Sequence, residues 1–225
     1  MNLAIIPARG GSKRIKNKNI ISFAGKPMIY YPINAAKKSK IFDFIHVSSD
    51  SNKILNLAEK FGIKKQFRRP KSLSDDYIGI LPVLRFVLNQ YEAKYKIKIN
   101  NIFCIFPAAP FLTKKYLIDA YKLFKKNKSK YPLHVVSEYN APIQWAFELK
   151  KNKILKPKEP GKFKIRSQDL KRYYYECGPF SIFSRNHIIK NVQDKNFLGF
   201  VMPKYKSIDI DTKEDLEFAR KLIKK

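Results

Sequence analysis

Residues 101–106, "NIFCIF", run five apolar positions without alternation, in a chain where 47 of 225 residues are lysine or arginine. A short unbroken apolar run predicts a strand covered on both faces, which in turn requires helices on either side of a mostly parallel sheet. The flanking sequence supplies them. Strand-like runs at Leu3–Ile6, Phe44–Ser48 and 133–139 alternate with helical periodicity over Met28–Ser39, Asn52–Phe61, Leu81–Tyr95 and 117–126. That alternation is the pattern of α/β layering. The segments "PFSIFS" (179–184) and "SIDI" (207–210) read as returning strands, and "TKEDLEFARKLIK" closes the chain as a helix with Leu216, Ala219 and Leu222 on one face. A Pro- and Lys-rich stretch breaks the rhythm between 139 and 175. It reads as an excursion from one domain spanning 1–225.

Composition narrows the function. The hydrophobic fraction of 44% is enough for a single core, and no apolar run approaches a membrane span. The apolar start is too short for a signal segment and is followed by charges, so a cytoplasmic location is expected. Cys104 and Cys177 lie in strand-like segments and are expected to be reduced packing residues. The net charge of +29 first suggests a polyanionic partner. The lysines are spread through almost every segment, however, with no zinc-finger spacing and no aromatic RNA-binding signature, so no specific nucleic acid is expected. A basic nucleic-acid-binding protein is the alternative from a different class. His46, His134 and His187 have no metal-ligand spacing, which argues against zinc.

The segment following the first strand is the most suggestive for chemistry. "IIPARGGSKRIKNKN" (5–19) leaves a β-run through Pro7 and turns at Gly10 and Gly11 among Arg9, Ser12, Lys13, Arg14 and Lys18. Tight glycine turns expose backbone N–H groups, and cations beside them make an anion cradle; a solvated basic loop is the plainer reading. The spacing is not that of a P-loop. Other unusual strand ends are "SSD" (48–50), "PAAPF" (107–111) and the pair Asp209 and Asp211. In open α/β sheets ligands bind at these carboxyl ends. Two carboxylates two residues apart share one face of an extended chain and suit a hard cation such as Mg²⁺. For Asp211 a second reading stands beside it: "DTKE" fits a helix-capping box, with Asp211 or Thr212 as cap and Glu214 reaching back. Arg166, in "RSQDL", is either a partner for a carboxylate or a surface cation, and Arg69, in "RRPKSLSDD", faces either a site or solvent.

Taken in order, "IIPARGGSKRIKNKN", "KPMIYYPINAA", "HVSSD", "FRRPKSLSDD" and "SIDIDTKEDL" resemble the CMP-sialic acid synthetase superfamily along nearly the whole chain. Within it, "LSDDYIG", "APFL", "PIQ" and "RSQDL" are most similar to the branch acting on pseudaminic acid, with legionaminic or N-acetylneuraminic acid as alternatives. The resemblance implies a three-layer Rossmann-like nucleotidyltransferase sheet with a protruding dimerisation excursion at 139–175, a homodimer, and transfer of CMP from CTP to a nine-carbon acidic sugar with Mg²⁺. It implies that Ala8, Arg9, Gly10, Gly11, Ser12, Lys13, Lys18 and Arg69 hold the nucleotide, Arg9 and Lys13 acting in catalysis. Asp209 and Asp211 would hold metal and act in catalysis, while Arg166, Gln168 and Tyr175 would meet the sugar. The chain departs from its relatives at "FPAAP" (106–110), where many carry Q-P-T-S-P, at "CGPF" (177–180), where sialic acid enzymes carry N-G-A, and at Trp145.

Overall fold

The computed structural model describes residues 1–12, 14–75, 77–190 and 196–223. Its centre is a six-stranded sheet of β1 (Asn2–Pro7), β4 (Phe44–Ser48), β5 (Asn101–Ile105), β6 (Leu133–Glu138), β9 (Tyr174–Ser184) and β10 (Leu198–Val201). The strand order is β10-β6-β9-β5-β1-β4, with β9 antiparallel to both of its neighbours and all other pairs parallel. Every residue of β5 is buried, as its unbroken apolar run requires.

Alternate side chains of the central strands feed two cores. Ala4, Ile6, Phe103 and Ile105 pack beneath α1 (Tyr30–Ser39), α2 (Asn52–Lys60) and α4 (Lys114–Lys126); Leu3, Ile5, Ile102 and Cys104 pack beneath α3 (Ile80–Tyr95) and α5 (Arg185–Ile189). The result is the expected three-layer arrangement. The helices follow from their periodicity: α4 buries Leu117, Ala120 and Phe124 along one stripe while its lysines face water. Each fully buried aliphatic or aromatic side chain contributes roughly 1.5–3 kcal/mol. Cys104 and Cys177 are both buried free thiols.

A third, smaller core matters most for the site. Ile15 and Phe23 from the N-terminal segment, Ala108 and Phe111 from the loop after β5, and Ile210, Leu216 and Ala219 from the chain end pack together. Here α6 (Lys213–Ile223) packs on the ribbon of β2 (Ser22–Phe23) and β3 (Lys26–Pro27), with Arg220 Nη2 donating to Ser22 O at 3.0 Å. One expectation fails at this point. Residues 207–210 form no strand, and the last strand of the sheet is instead β10, which pairs with β6. In the segment 207–211, Ile210 is buried in the small core and Ile208 packs against its edge, while Asp209 and Asp211, with Ile208, line the cavity described below.

The excursion leaves the end of β6 and returns at the start of β9, closed at its neck by Tyr139 N–H donating to the Tyr173 carbonyl. It carries the hairpin of β7 (Phe147–Leu149) and β8 (Leu155–Pro157). Phe163 stacks on Trp145 and Phe147 at its centre.

Candidate active site

A cavity of about 420 Å³ opens where the parallel strands end. Arg9, Ser12, Lys18, Arg69, Asp209 and Asp211 all line it, brought together from three distant parts of the chain. Lys13 lies outside the described residues.

The loop after β1 is fixed by its backbone. Ala8 N–H donates to Ser48 O at 2.9 Å, tying it to β4, and Asn19 Nδ2 donates to Arg9 O at 2.9 Å. Arg9 is thereby turned across the cavity, where Nη1 donates to the Asp75 carbonyl at 3.2 Å. Gly10 departs from the simple cradle. Its N–H donates to Asp50 Oδ1 at 2.9 Å, and a Cβ here would come within 3.0 Å of Ser51 Cβ, so glycine serves close packing of this loop on the end of β4. Ala8 is wholly buried and Gly11 faces solvent, and neither they nor Gly10 line the cavity. Of the loop's described residues, Arg9, Ser12, Arg14 and Lys18 are the ones that line the cavity.

Arg69 settles into the cavity wall, 6% exposed, donating from Nη2 to Ser48 O at 2.7 Å. Desolvation lowers its pKa, partly offset by the Asp50 carboxylate. Its buried Nε–H has no acceptor among the described residues, a cost that an incoming acceptor would relieve.

The carboxylate pair shows how the capping alternative is decided. Thr212 is the cap of α6: its Oγ1 accepts from Asp215 N–H at 3.1 Å, and Asp215 Oδ2 takes the Thr212 N–H at 2.7 Å and the Asp211 N–H at 3.1 Å. The reciprocal partner is therefore Asp215, not Glu214. Asp211 is released from capping, and its carboxylate instead bridges Lys18 Nζ at 3.0 Å and Arg14 Nη1 at 2.8 Å. Asp209 makes no ion pair among the described residues. Burial raises its pKa, the Asp211 carboxylate adds to this, and Lys18 and Arg14 pull the other way. A further cation beside this pair would relieve both effects. Among the described residues no three His, Cys, Asp or Glu side chains cluster as a metal centre. Two hard carboxylates completed by water and phosphate oxygens fit Mg²⁺ well.

The expected sugar residues do not reach this cavity within one chain. Arg166 and Gln168 sit on the exposed excursion, where Arg166 Nε pairs with Asp169 at 2.8 Å, and Tyr175 leans on Tyr139 near the neck. They are held away because the excursion projects from the ends of β6 and β9. Several site residues gave no readable sequence signal. Asn19, Asp75 and Glu176 acquire meaning only through partners far along the chain, and Arg14, expected in the anion cradle, instead spends its guanidinium on Asp211. Gly178 faces Asp209, and Asp50 locks the loop from just beyond the end of β4.

An α/β sheet whose parallel strands end at a cavity with cations on one wall and paired carboxylates on another is the architecture of a nucleotidyltransferase. More narrowly, this chain belongs to the cytidylyltransferase family, which matches residues 3–225. It is 40% identical to a pseudaminic acid cytidylyltransferase of Campylobacter jejuni over 225 residues, 99% of this chain and 96% of that one. It is 34% identical to a CMP-N,N'-diacetyllegionaminic acid synthase of the same species over 223 residues, 98% and 94% of the two chains. The fold matches a CMP:2-keto-3-deoxy-manno-octonic acid synthetase solved with CTP, with a TM-score of 0.71 at 15% identity over 99% of this chain and 98% of that one.

Proposed function

We propose that this enzyme transfers CMP from CTP to the anomeric hydroxyl of a nonulosonic acid, with pseudaminic acid as the preferred acceptor. The convergence of Arg9, Ser12, Lys18 and Arg69 with Asp209 and Asp211 on one cavity carries this reading. The hydroxyl oxygen attacks the α-phosphorus and forms the new O–P bond. The bond from the α-phosphorus to the bridging oxygen breaks, and pyrophosphate leaves with the electron pair while the hydroxyl proton passes to water. Such a transfer depends mainly on positioning and charge neutralisation. Arg9, Ser12 and Lys18 grip phosphate oxygens, and Arg69 offers its unsatisfied Nε–H to the nucleotide. Asp209 and Asp211 would hold Mg²⁺, which supplies charge neutralisation and acidifies a bound hydroxyl.

The wall formed by Phe106, Pro107, Ala108, Ala109 and Pro179 is poor in hydrogen-bonding groups. It favours a deoxy sugar with a terminal methyl over one with a polar glycerol tail, since each unpaired buried hydroxyl costs about 1–3 kcal/mol. The excursion supports a homodimer, because Leu149, Ile154 and Leu155 are each more than half exposed there. In such a dimer Arg166 and Gln168 serve the partner's sugar site. No described helix is long and apolar enough to cross a membrane, and we place the reaction in the cytoplasm, where CTP is available.

Pyrophosphate release measured with four nucleotides crossed against pseudaminic, legionaminic and N-acetylneuraminic acids tests the reading. CTP with pseudaminic acid should give the highest kcat/KM. Equal use of N-acetylneuraminic acid would reject the sugar assignment, and no turnover with any acid would reject the reaction.

A further inference from the structure

Four acidic residues line the cavity, and the reaction above leaves one of them without a part. Asp75 Oδ1 accepts from the N–H groups of Tyr77 and Ile78, Asp211 is held by Arg14 and Lys18, and Asp209 belongs with it to the cation site. The fourth is Glu176. Its Oε1 lies 2.9 Å from His134 Nδ1, and Ser181 Oγ lies 3.1 Å from the same nitrogen. An ionised carboxylate only accepts, so Nδ1 carries the proton and Ser181 Oγ shares it as a second acceptor. The imidazole is held edge-on between Phe183 and Phe197.

This pairing exists because β9 is irregular. His134 is opposite Ser181 and Val136 is opposite Glu176, so two steps along β6 span five along β9. Residues five apart on a regular strand face opposite sides of the sheet. The three extra residues correct the parity, placing Glu176 and Ser181 beside one imidazole while Gly178 bulges toward Asp209. In the strand order, β9 is separated from β1 by β5 alone. That is two strand spacings, roughly 10 Å, from the phosphate loop. A carboxylate here repels phosphate but attracts an uncharged hydrogen-bond donor.

We propose that Glu176, oriented by His134, is a specificity-determining residue that accepts a hydrogen bond from an N–H or hydroxyl of the acceptor sugar. This rests on the acidic-sugar reading above. His134 is its positioning residue and touches no substrate.

The test is steady-state kinetics of the full chain with CTP and pseudaminic acid, together with CTP binding by calorimetry. Glu176→Ala should raise the KM for the sugar about tenfold or more, the scale of a hydrogen bond to a charged group, with the KM for CTP and CTP binding unchanged. His134→Leu should reproduce part of that rise, and His134→Asn, which keeps a donor near the Nδ1 position, should restore it. The proposal is overturned if Glu176→Ala leaves the sugar KM unchanged, raises the CTP KM equally, or abolishes CTP binding. It is also overturned if His134→Asn behaves like His134→Leu. A wild-type protein that turns over CTP with no nonulosonic acid rejects the underlying reading instead.

Discussion

At the scale of single residues, the chain separates two jobs that one short motif had seemed to mix. Thr212 caps α6 and Asp211 faces the cavity, so their substitutions should have opposite signatures. Asp211→Asn should cut pyrophosphate release about a hundredfold, the scale of losing one preorganised electrostatic contact, with little change in Tm because its ion pairs are partly exposed. Thr212→Ala should retain turnover and lose about 1 kcal/mol in urea unfolding. His46 offers a different test. It is 1% exposed and stacked on Phe67, with neither ring nitrogen partnered among the described residues, and burial lowers its pKa to about 3. The unfolded chain protonates this side chain near pH 6.5, so between the two values the unfolded state holds the extra proton and stability falls as pH falls. The slope from this group is about 1.4 kcal/mol per pH unit. Thermal melts from pH 7 to 4.5 should therefore show a shallower decline for His46→Leu than for the wild type.

Among the elements, β9 does the most to shape the site. Gly178 has φ +68°, and a Cβ there would lie 3.8 Å from Asp209 Oδ2. Gly178→Ala should cost about 1–2 kcal/mol from the left-handed backbone alone and reduce turnover by disturbing the bulge, which urea midpoints and pyrophosphate release would show together. Sequence pattern was a good guide to elements held by local periodicity: Phe44–Ser48 and the buried run of β5 stand where their side chains place them. It misplaced the last strand, because "SIDI" has strand-like alternation but packs into the small core beside α6, while the short "LGFV" pairs with β6. The site was legible where a chemical group follows a strand end directly, as with Arg9 and Ser12, or is doubled in two residues, as with Asp209 and Asp211. It was not legible where meaning comes from a distant partner. Asp50 with Gly10, Asn19 with Arg9 and Glu176 with His134 are pairings that only the folded sheet creates.

For the molecule as a whole, the charge of +29 surrounds a cavity lined by Arg9, Arg14, Lys18 and Arg69, and a field of that sign speeds encounter with an anionic ligand without selecting it. Quaternary structure is the more specific matter. On the hairpin of the excursion, Leu149 pairs across from Leu155, giving one apolar face beside Phe147. Light scattering should give twice the 26.4 kDa chain mass for the wild type and the single mass for Leu155→Glu, with CTP binding retained and sugar turnover lost. A monomeric wild type with full activity would rule out the shared site. The sheet order also governs how this chain emerges during synthesis. β5 is flanked by β1, made before it, and by β9, made some seventy residues later. Until β9 leaves the ribosome, this strand, buried at every position in the folded protein, is an open edge, and a nascent chain stalled in the excursion displays a template for aggregation. Slowing translation through residues 106–174 should therefore lower soluble yield, a consequence of where one antiparallel strand was inserted in the sheet.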